Sequence, residues 1–501
     1  MLAKTVLGRY TQSTLILLLV VMITTGIVGS VTAWLVATMD FPGRRIFEVA
    51  LVLPLALPAY VLAYAYTDLL DHPGLVQSTL REITGWGPRD YWFPEIRSIG
   101  GAGAMLSMVL YPYVYLTVRT SLKAQSAKQY FAARSLGSTP WGAFWKISLP
   151  MSRPAIFAGV LLAAMETIAD FGTVSYFGVQ TYATGIYTSW FALGDRTAAA
   201  QLSLGLFAFA FLINYLERAS RGAASYHSNN KYEAYQRVPL AGSKKWWATC
   251  ACMIPILLGL IIPVVTLFSM SFSSEQNIFT ERYLSFIRNS FVLAALASVV
   301  TVTAAILLFS AQRFVSTRTT SAALKIGWLG YAVPGGVVAV GLMIPLGQVD
   351  NAVDGFFESR FGIDTGLIFT GSIGVLILAY MVRYLATALG SYESGLSSVG
   401  PNMDAAARVL GSSPGSVLWR VHLPMLLPSI VTASVIVFVD VMKELPATLI
   451  LRPFNFDTLA VQAFRLASDE RLEGAAVPSL MIGAIGLIPV IILCRKILSE
   501  E

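Results

Sequence analysis

Apolar positions in this chain neither alternate nor recur along one face of a helix. They gather into long runs, each close to the roughly 20 residues that a helix needs to cross a bilayer. The runs lie near 13–37, 46–69, 100–118, 154–176, 199–216, 247–271, 289–311, 326–346, 367–388, 427–450 and 475–494. Lipid offers backbone groups no hydrogen-bond partner, so spanning segments are helices or closed barrels, and runs of this length are helices. The pattern predicts an all-α, polytopic bundle of eleven transmembrane helices.

The polar interruptions carry a repeat. Residues 131–150 read FAARSLGSTPWGAFWKISLP and residues 405–424 read AAARVLGSSPGSVLWRVHLP, identical at ten of twenty positions at an offset of 274. LALPAYVLAYAY around Pro58 is echoed by YAVPGGVVAVGL around Pro334, and VLYPYVYL around Tyr111 by LAYMVRYL around Tyr380. Six spans separate the two motifs, and an even number returns the chain to the same side. The halves therefore repeat in parallel, about an axis along the membrane normal. Residues 1–217 form the first repeat and 246–501 the second; the polar stretch 218–245 is a cytoplasmic linker.

Within each motif the Ala-rich first part favours helix. Gly137 and Gly411 can end that helix in a left-handed conformation, and Pro140 and Pro414 suit the first turn of the next one. Trp145 and Trp419 then sit among basic residues, and Pro150 and Pro424 turn the chain back toward the membrane. The product is an apolar and basic knob outside the bilayer, shaped to fill a partner's groove. A pseudo-twofold unit that presents two such knobs suits a partner that is itself a symmetric dimer.

Composition agrees with the spans: 55% of the 501 residues are hydrophobic and 13% charged, against about a quarter charged in soluble domains. The net charge of +7 comes from asymmetry across the membrane and does not signal nucleic acid. With the motifs placed in the cytoplasm, internal segments hold 22 Lys and Arg against 8 Asp and Glu, and external segments 12 against 15. That is the sense of the positive-inside rule. Glu48 and Glu393 fall at cytoplasmic ends and read as solvated charges. The three cysteines, at 250, 252 and 494, read as packing residues, and the three histidines are scattered, with no zinc motif. Gly-Lys never occurs, which excludes a Walker A phosphate loop. Whatever energy source drives the protein, it does not bind ATP by that motif, and the chain calls for no cofactor of its own.

The span after each motif carries two carboxylates four residues apart, Glu166 and Asp170, then Asp440 and Glu444, again at an offset of 274. Such spacing puts each pair on one helix face, and each carboxylate costs roughly 2.5–3.5 kcal/mol on insertion scales. Two readings stand. The four can line a route for a hard cation with oxygen ligands, or they can build a gate by capping broken helices near Gly172 and Pro446 or pairing with Lys443.

The duplicated motif resembles the EAA loop of binding-protein-dependent ABC importer permeases: Ala132-Ala133 and Ala406-Ala407, Gly four positions after the second Ala, and Leu-Pro ending thirteen after the Gly. Two copies in one chain resemble the fused permeases of the ferric-iron uptake family, as do METIADFGTVSYFGVQTYATGIYTSWFALGDR and MKELPATLILRPFNFDTLA. The resemblance implies an ABC ATPase homodimer docked on the two loops at the cytoplasmic face. It also implies a periplasmic or extracellular solute-binding protein, a prokaryotic inner (plasma) membrane, no enzymatic activity and transient Fe³⁺ contact at the pathway carboxylates. Two features depart from it. The family's glutamate falls at Phe131 and Ala405, with Asp404 one position early, so docking would rest on Arg134, Arg408, the Gly-Pro turn and the aromatic knob. The first half also lacks a counterpart to span 247–271, so either one peripheral helix is absent, giving eleven where twelve would stand, or the start lies upstream. The alternatives are an importer for thiamine, a polyamine or a phosphonate, and a proton-coupled carrier that uses the same carboxylates.

Overall fold

The computed structural model describes residues 6–124, 135, 137–139, 142, 144–222, 237–274, 279–396 and 399–499. Among them ten helices are long and apolar enough to span a membrane, and eleven if one pair bent by 91° is counted as a span.

In the first half α1 (Leu7–Thr38) leads through a two-residue strand β1 (Met39–Asp40) into α2 (Arg44–Ala50). A 3-10 turn and Pro58 follow, then α3 (Ala59–Leu70), α4 (Leu75–Thr84) and α5 (Ile99–Ala124). Next come α6 (Leu149–Ala169), α7 (Gly172–Tyr176), α8 (Tyr182–Tyr187) and α9 (Arg196–Gly222). Strand β2 (Val238–Pro239) pairs with β1 in parallel. The second half opens on α10 (Ser243–Ile256) and α11 (Ile262–Ser273), joined by a π-helical turn, and then runs through the same order. Its elements are α12 (Glu281–Phe314), α13 (Arg318–Leu329), α14 (Gly335–Phe361), α15 (Ile373–Leu396), α16 (Pro401–Val409), α17 (Pro414–Val417), α18 (Leu423–Met442), α19 (Pro446–Leu451), α20 (Leu459–Ser468) and α21 (Leu472–Ser499).

Packing repeats as well. Helices α1, α5 and α6 contact one another, as do α12, α15 and α18. Close approach in the first triad depends on small residues: a Cβ on Gly29 would lie 2.6 Å from Val114 Cβ, and one on Gly159 2.7 Å from Val114 Cα. Small residues at helix contacts are how bundles pack in lipid, where burial of apolar surface supplies no drive. The opposite face of α1 exposes Leu15, Leu19, Ile23 and Ile27, a stripe four residues apart that only lipid satisfies. Helices α10 and α11, which have no counterpart in the first half among the described residues, reach across to it: α11 packs on α3, and Tyr66 Oη donates to the Leu258 carbonyl at 2.7 Å.

Three expectations need correction. The runs 46–69 and 326–346 are not single spans. Each is interrupted at its proline, where Pro58 and Pro334 are extended (ψ 146° and 144°) and start α3 and α14. Proline lacks the N–H that would continue a helix, and here it begins one. Second, Pro150 and Pro424 do not turn the chain: Pro414–Met442 is one continuous helical run, as is Trp145–Ala169. Each passes through a π-helical turn, Phe144–Ser148 and Leu418–His422, at positions offset by 274. That wider turn lies just ahead of the proline that cannot donate. Third, Glu48 is not solvated. It is fully buried and accepts hydrogen bonds from Arg44 (3.2 Å), Lys123 (3.1 Å) and Arg119. Glu393 is exposed.

Candidate functional site: coupling knobs and broken-helix gates

In the second motif α16 carries Ala406, Ala407 and the backbone of Arg408, and ends at Gly411 with φ 81°. The Leu410 and Ser412 amides donate to the carbonyls of Ala406 and Ala407 at 3.1 and 3.0 Å, a Schellman closure that needs the left-handed residue. Ser413 Oγ then accepts from the Ser416 amide at 3.3 Å and Pro414 sits in the first turn of α17. The described part of the first motif repeats this: Gly137 has φ 87°, and Thr139 Oγ1 accepts from the Gly142 amide at 3.0 Å. Trp145 and Trp419 are 52% and 72% exposed, and Val409 and Leu410 stand out at 87% and 85%. Ala132, Ala133, Arg134 and Pro140 lie outside the described residues.

Asp404 does not point outward. It is 4% exposed, bonded to Arg313 and, at 2.7 Å, to His422 Nε2; Phe314 stacks on the His422 ring. Burial would raise its pKa, but the His422 and Arg313 bonds outweigh burial and hold it below the ordinary carboxylate range. Its carboxylate locks α16 to the end of α12 and to the π-turn.

The carboxylates of the other constellation sit at two helix breaks. In the first, α6 ends at Ala169 and Asp170 is extended (ψ 130°). Its Oδ1 accepts from the Thr173 and Val174 amides at 3.1 and 3.2 Å and its Oδ2 from the Thr173 hydroxyl at 3.0 Å, which caps α7. Glu166 is half-buried on the last turn of α6. A Cβ on Gly172 would lie 2.8 Å from Tyr60 Cβ, so glycine lets α3 close against the break. In the second, α18 ends at Met442 and Glu444 caps α19. Its Oε1 accepts from the Ala447 amide (2.8 Å) and its Oε2 from the Thr448 amide (3.0 Å) and hydroxyl (2.6 Å). Asp440 pairs with Lys443 at 3.0 Å.

Sequence reasoning missed two residues here. Arg383 lies inside the span 367–388 and was given no role, yet its Nη1 reaches Glu444 Oε1 at 2.8 Å while its guanidinium lies over the Tyr384 ring. The available signal was an arginine in an otherwise apolar run. Gly335 follows Pro334, and a Cβ there would lie 2.5 Å from Arg383 Nη1 and 2.6 Å from Glu444 Oε1.

The two breaks meet. Tyr187 Oη donates to the Pro446 carbonyl and Tyr60 Oη to that of Lys443 at 3.4 Å, both reaching from the first half. Phe171 stacks on Tyr187 with centroids 3.7 Å apart and touches Phe464 at 5.5 Å. Glu166 acts electrostatically on Arg383 and Lys443 of the other half. Four carboxylates and two cations thus gather around two interrupted helices that short backbone and tyrosine contacts hold together.

Paired helix breaks inside a membrane bundle that also presents paired exposed knobs are an arrangement that suits a membrane permease. The particular kind is given by likeness: the chain is similar to permeases of ABC importers. The family described as the binding-protein-dependent transport system inner membrane component matches residues 26–221. Over 485 residues the chain is 29% identical to the Fe(3+)-transport system permease protein FbpB 2 of Haemophilus influenzae, covering 95% of this chain and 88% of that one. It is 29% identical over 208 residues to the molybdenum transport system permease protein ModB of Escherichia coli K12, covering 39% of this chain and 87% of that one. A solved bacterial alginate ABC transporter, in complex with alginate pentasaccharide-bound periplasmic protein, aligns over 50% of this chain and 93% of its own with a TM-score of 0.40 and 18% identity.

Proposed function

We propose that the chain is the whole membrane pathway of a prokaryotic inner-membrane importer for ferric iron, itself without enzymatic activity. A separate ATPase dimer drives it through Gly137/Trp145 and Gly411/Trp419, and a solute-binding protein delivers iron from outside. The observation that carries this reading is the extent of the likeness to the Fe(3+) permease, which runs across both repeats. The molybdenum permease matches only about one repeat's length. The gate adds a chemical argument. Carboxylates outnumber cations there by four to two, a surround that favours a hard cation over an oxyanion such as molybdate. Asp170 and Glu444 spend their oxygens on helix caps and Asp440 pairs with Lys443, so these carboxylates hold the breaks together as well as setting the charge around them.

Uptake of ⁵⁵Fe³⁺ by iron-starved cells that express or lack this chain tests the reading. Loss of iron uptake on deletion, with thiamine, polyamine and molybdate uptake intact, is expected. Unchanged iron uptake with loss of one of the others would refute it.

A further inference from the structure

One cavity belongs neither to the knobs nor to the gates. It measures about 600 Å³ and opens where the loop after α1 meets the segment that enters the second half, with Asp40, Arg44, Arg45, Ile46 and Arg237 among its lining residues. The β1–β2 pairing builds it. Met39 is in register with Val238 and Asp40 with Pro239, and the Leu240 amide donates to the Asp40 carbonyl at 3.1 Å. This holds Arg237 beside the 40–46 loop, although nearly 200 residues separate them. The Thr249 hydroxyl, 3.2 Å from the Pro42 carbonyl, fastens α10 to the same loop.

The floor of the cavity is cationic. Arg44 bonds Glu48, and the same buried carboxylate also serves Arg119 and Lys123. Among the described residues here, five cations face two carboxylates, Asp40 and Glu48. Apolar groups lie close by. Ile46, in the lining, is 71% exposed, and the start of α10, the helix that Thr249 fastens to this loop, presents Trp246 and Trp247 at 58% and 75% with the Lys245 ammonium over the Trp246 ring. Exposed tryptophan beside lysine at the end of a span marks the headgroup level of a bilayer, and Thr38 and Ser243 are the ends of two apolar spans.

We propose that this cavity binds the phosphate of an anionic phospholipid headgroup, with Arg45 and Arg237, which both line it, as the cations that meet the phosphate and Ile46, Trp246 and Trp247 against the glycerol and upper acyl chains. A basic pocket between helices on the cytoplasmic side has the chemistry for such a headgroup. A free phosphate would use the arginines alone and leave the nearby apolar groups without purpose.

The test uses the full-length protein purified in a non-ionic detergent and delipidated, with bound lipid counted by native mass spectrometry and binding followed by titration. The probes are phosphatidylglycerol, phosphatidylcholine and inorganic phosphate. Phosphatidylglycerol is expected to bind in preference to phosphatidylcholine. The Arg45→Gln/Arg237→Gln variant should weaken it about thirtyfold, on the scale of basic residues at an anionic surface. The Arg45→Lys/Arg237→Lys variant should recover most of that loss, which a general disturbance of the fold would not allow. Equal binding of the two lipids, or an unchanged glutamine variant, overturns the site. Inorganic phosphate that saturates it as tightly as phosphatidylglycerol overturns the lipid assignment.

Discussion

Glu444 and Asp170 occupy equivalent positions in the repeat, yet the structure makes them unequal, and a pair of conservative substitutions should expose the difference. Asp170 receives backbone N–H groups on Oδ1 alone, and its Oδ2 meets only the Thr173 hydroxyl. In Asp170→Asn the amide oxygen can keep both backbone bonds while the NH₂ donates to a rotated Thr173 hydroxyl. The cost is on the order of one weakened hydrogen bond, about 0.5–1.5 kcal/mol. Glu444 accepts on both oxygens and holds Arg383, with side-chain exposures of 1% and 16%. In Glu444→Gln one end becomes a donor and must face donors, while Arg383 keeps a buried charge without its counter-ion. Breaking a buried pair from one side costs about 3–5 kcal/mol.

Thermal unfolding in detergent, alongside iron uptake, measures this. Glu444→Gln should lower stability at least twice as much as Asp170→Asn. Adding Arg383→Met to Glu444→Gln should restore part of the loss, because the orphaned charge goes as well. Equal losses for the two single variants, or additive losses for Arg383 and Glu444, would refute the reasoning.

Further predictions follow from the same geometry. Gly335→Ala places a methyl against the Arg383–Glu444 pair, so it should reproduce much of the Glu444→Gln loss in a melting experiment. Gly137→Val and Gly411→Val force a β-branched residue into φ 87° and 81°, at a local cost of at least about 1–2 kcal/mol. Membrane levels should hold while ATP-driven uptake falls, and normal uptake in both would remove the coupling role. Asp404→Asn should loosen α16 by about 1–3 kcal/mol, read as faster proteolysis in the second motif. Because the Asp404 pKa is held below its ordinary 3.8, its contribution is present in full at neutral pH and is lost only as pH falls through the lower folded value. An equal rate for variant and parent at neutral pH would contradict that lock. A single cysteine at Ser243, in a background without the native cysteines, should resist an impermeant maleimide in intact cells, while one at Ser359 should react. The reverse result would invert the topology.

What the sequence disclosed and what it hid divide along a physical line. Apolar runs reveal membrane helices because the cost of polar groups in lipid is paid residue by residue, and the run over 13–37 lies within α1 for that reason. Breaks are harder to see. A window of hydropathy averages across Pro58 and Pro334, since both sides of each bend remain apolar; the echo between the two prolines was legible and its consequence was not. Charges mislead in a related way. Glu48 lies near a span end and looks solvated, but its partners Arg119 and Lys123 lie more than 70 residues downstream. Only tertiary packing brings them together. Arg383 is the opposite case, visible as an anomaly in its run, with no local pattern to name Glu444 as its partner.

The repeat itself also concealed something. Aligning the halves draws attention to what they share: left-handed glycines, capping hydroxyls, π-turns, exposed tryptophans and carboxylates at the breaks. A permease assembled from two identical chains must place every lock twice. A fused chain is free of that constraint, and this one uses the freedom at both levels. At the cytoplasmic end the second half holds its motif with Asp404, Arg313 and His422, for which the first half has Tyr130, Ala37 (on the register of Pro58 with Pro334) and Ser148. The first half instead buries Glu48 under three cations. Beside the second break Arg383 backs Glu444, while the aligned position in the first half, in VLYPYVYL, is Val114. Two breaks with matched carboxylate caps but different charge support are expected to differ in stability, so substitutions matched by the repeat should differ in effect by the worth of those supports. That inequality is what comparison of Asp170→Asn with Glu444→Gln measures.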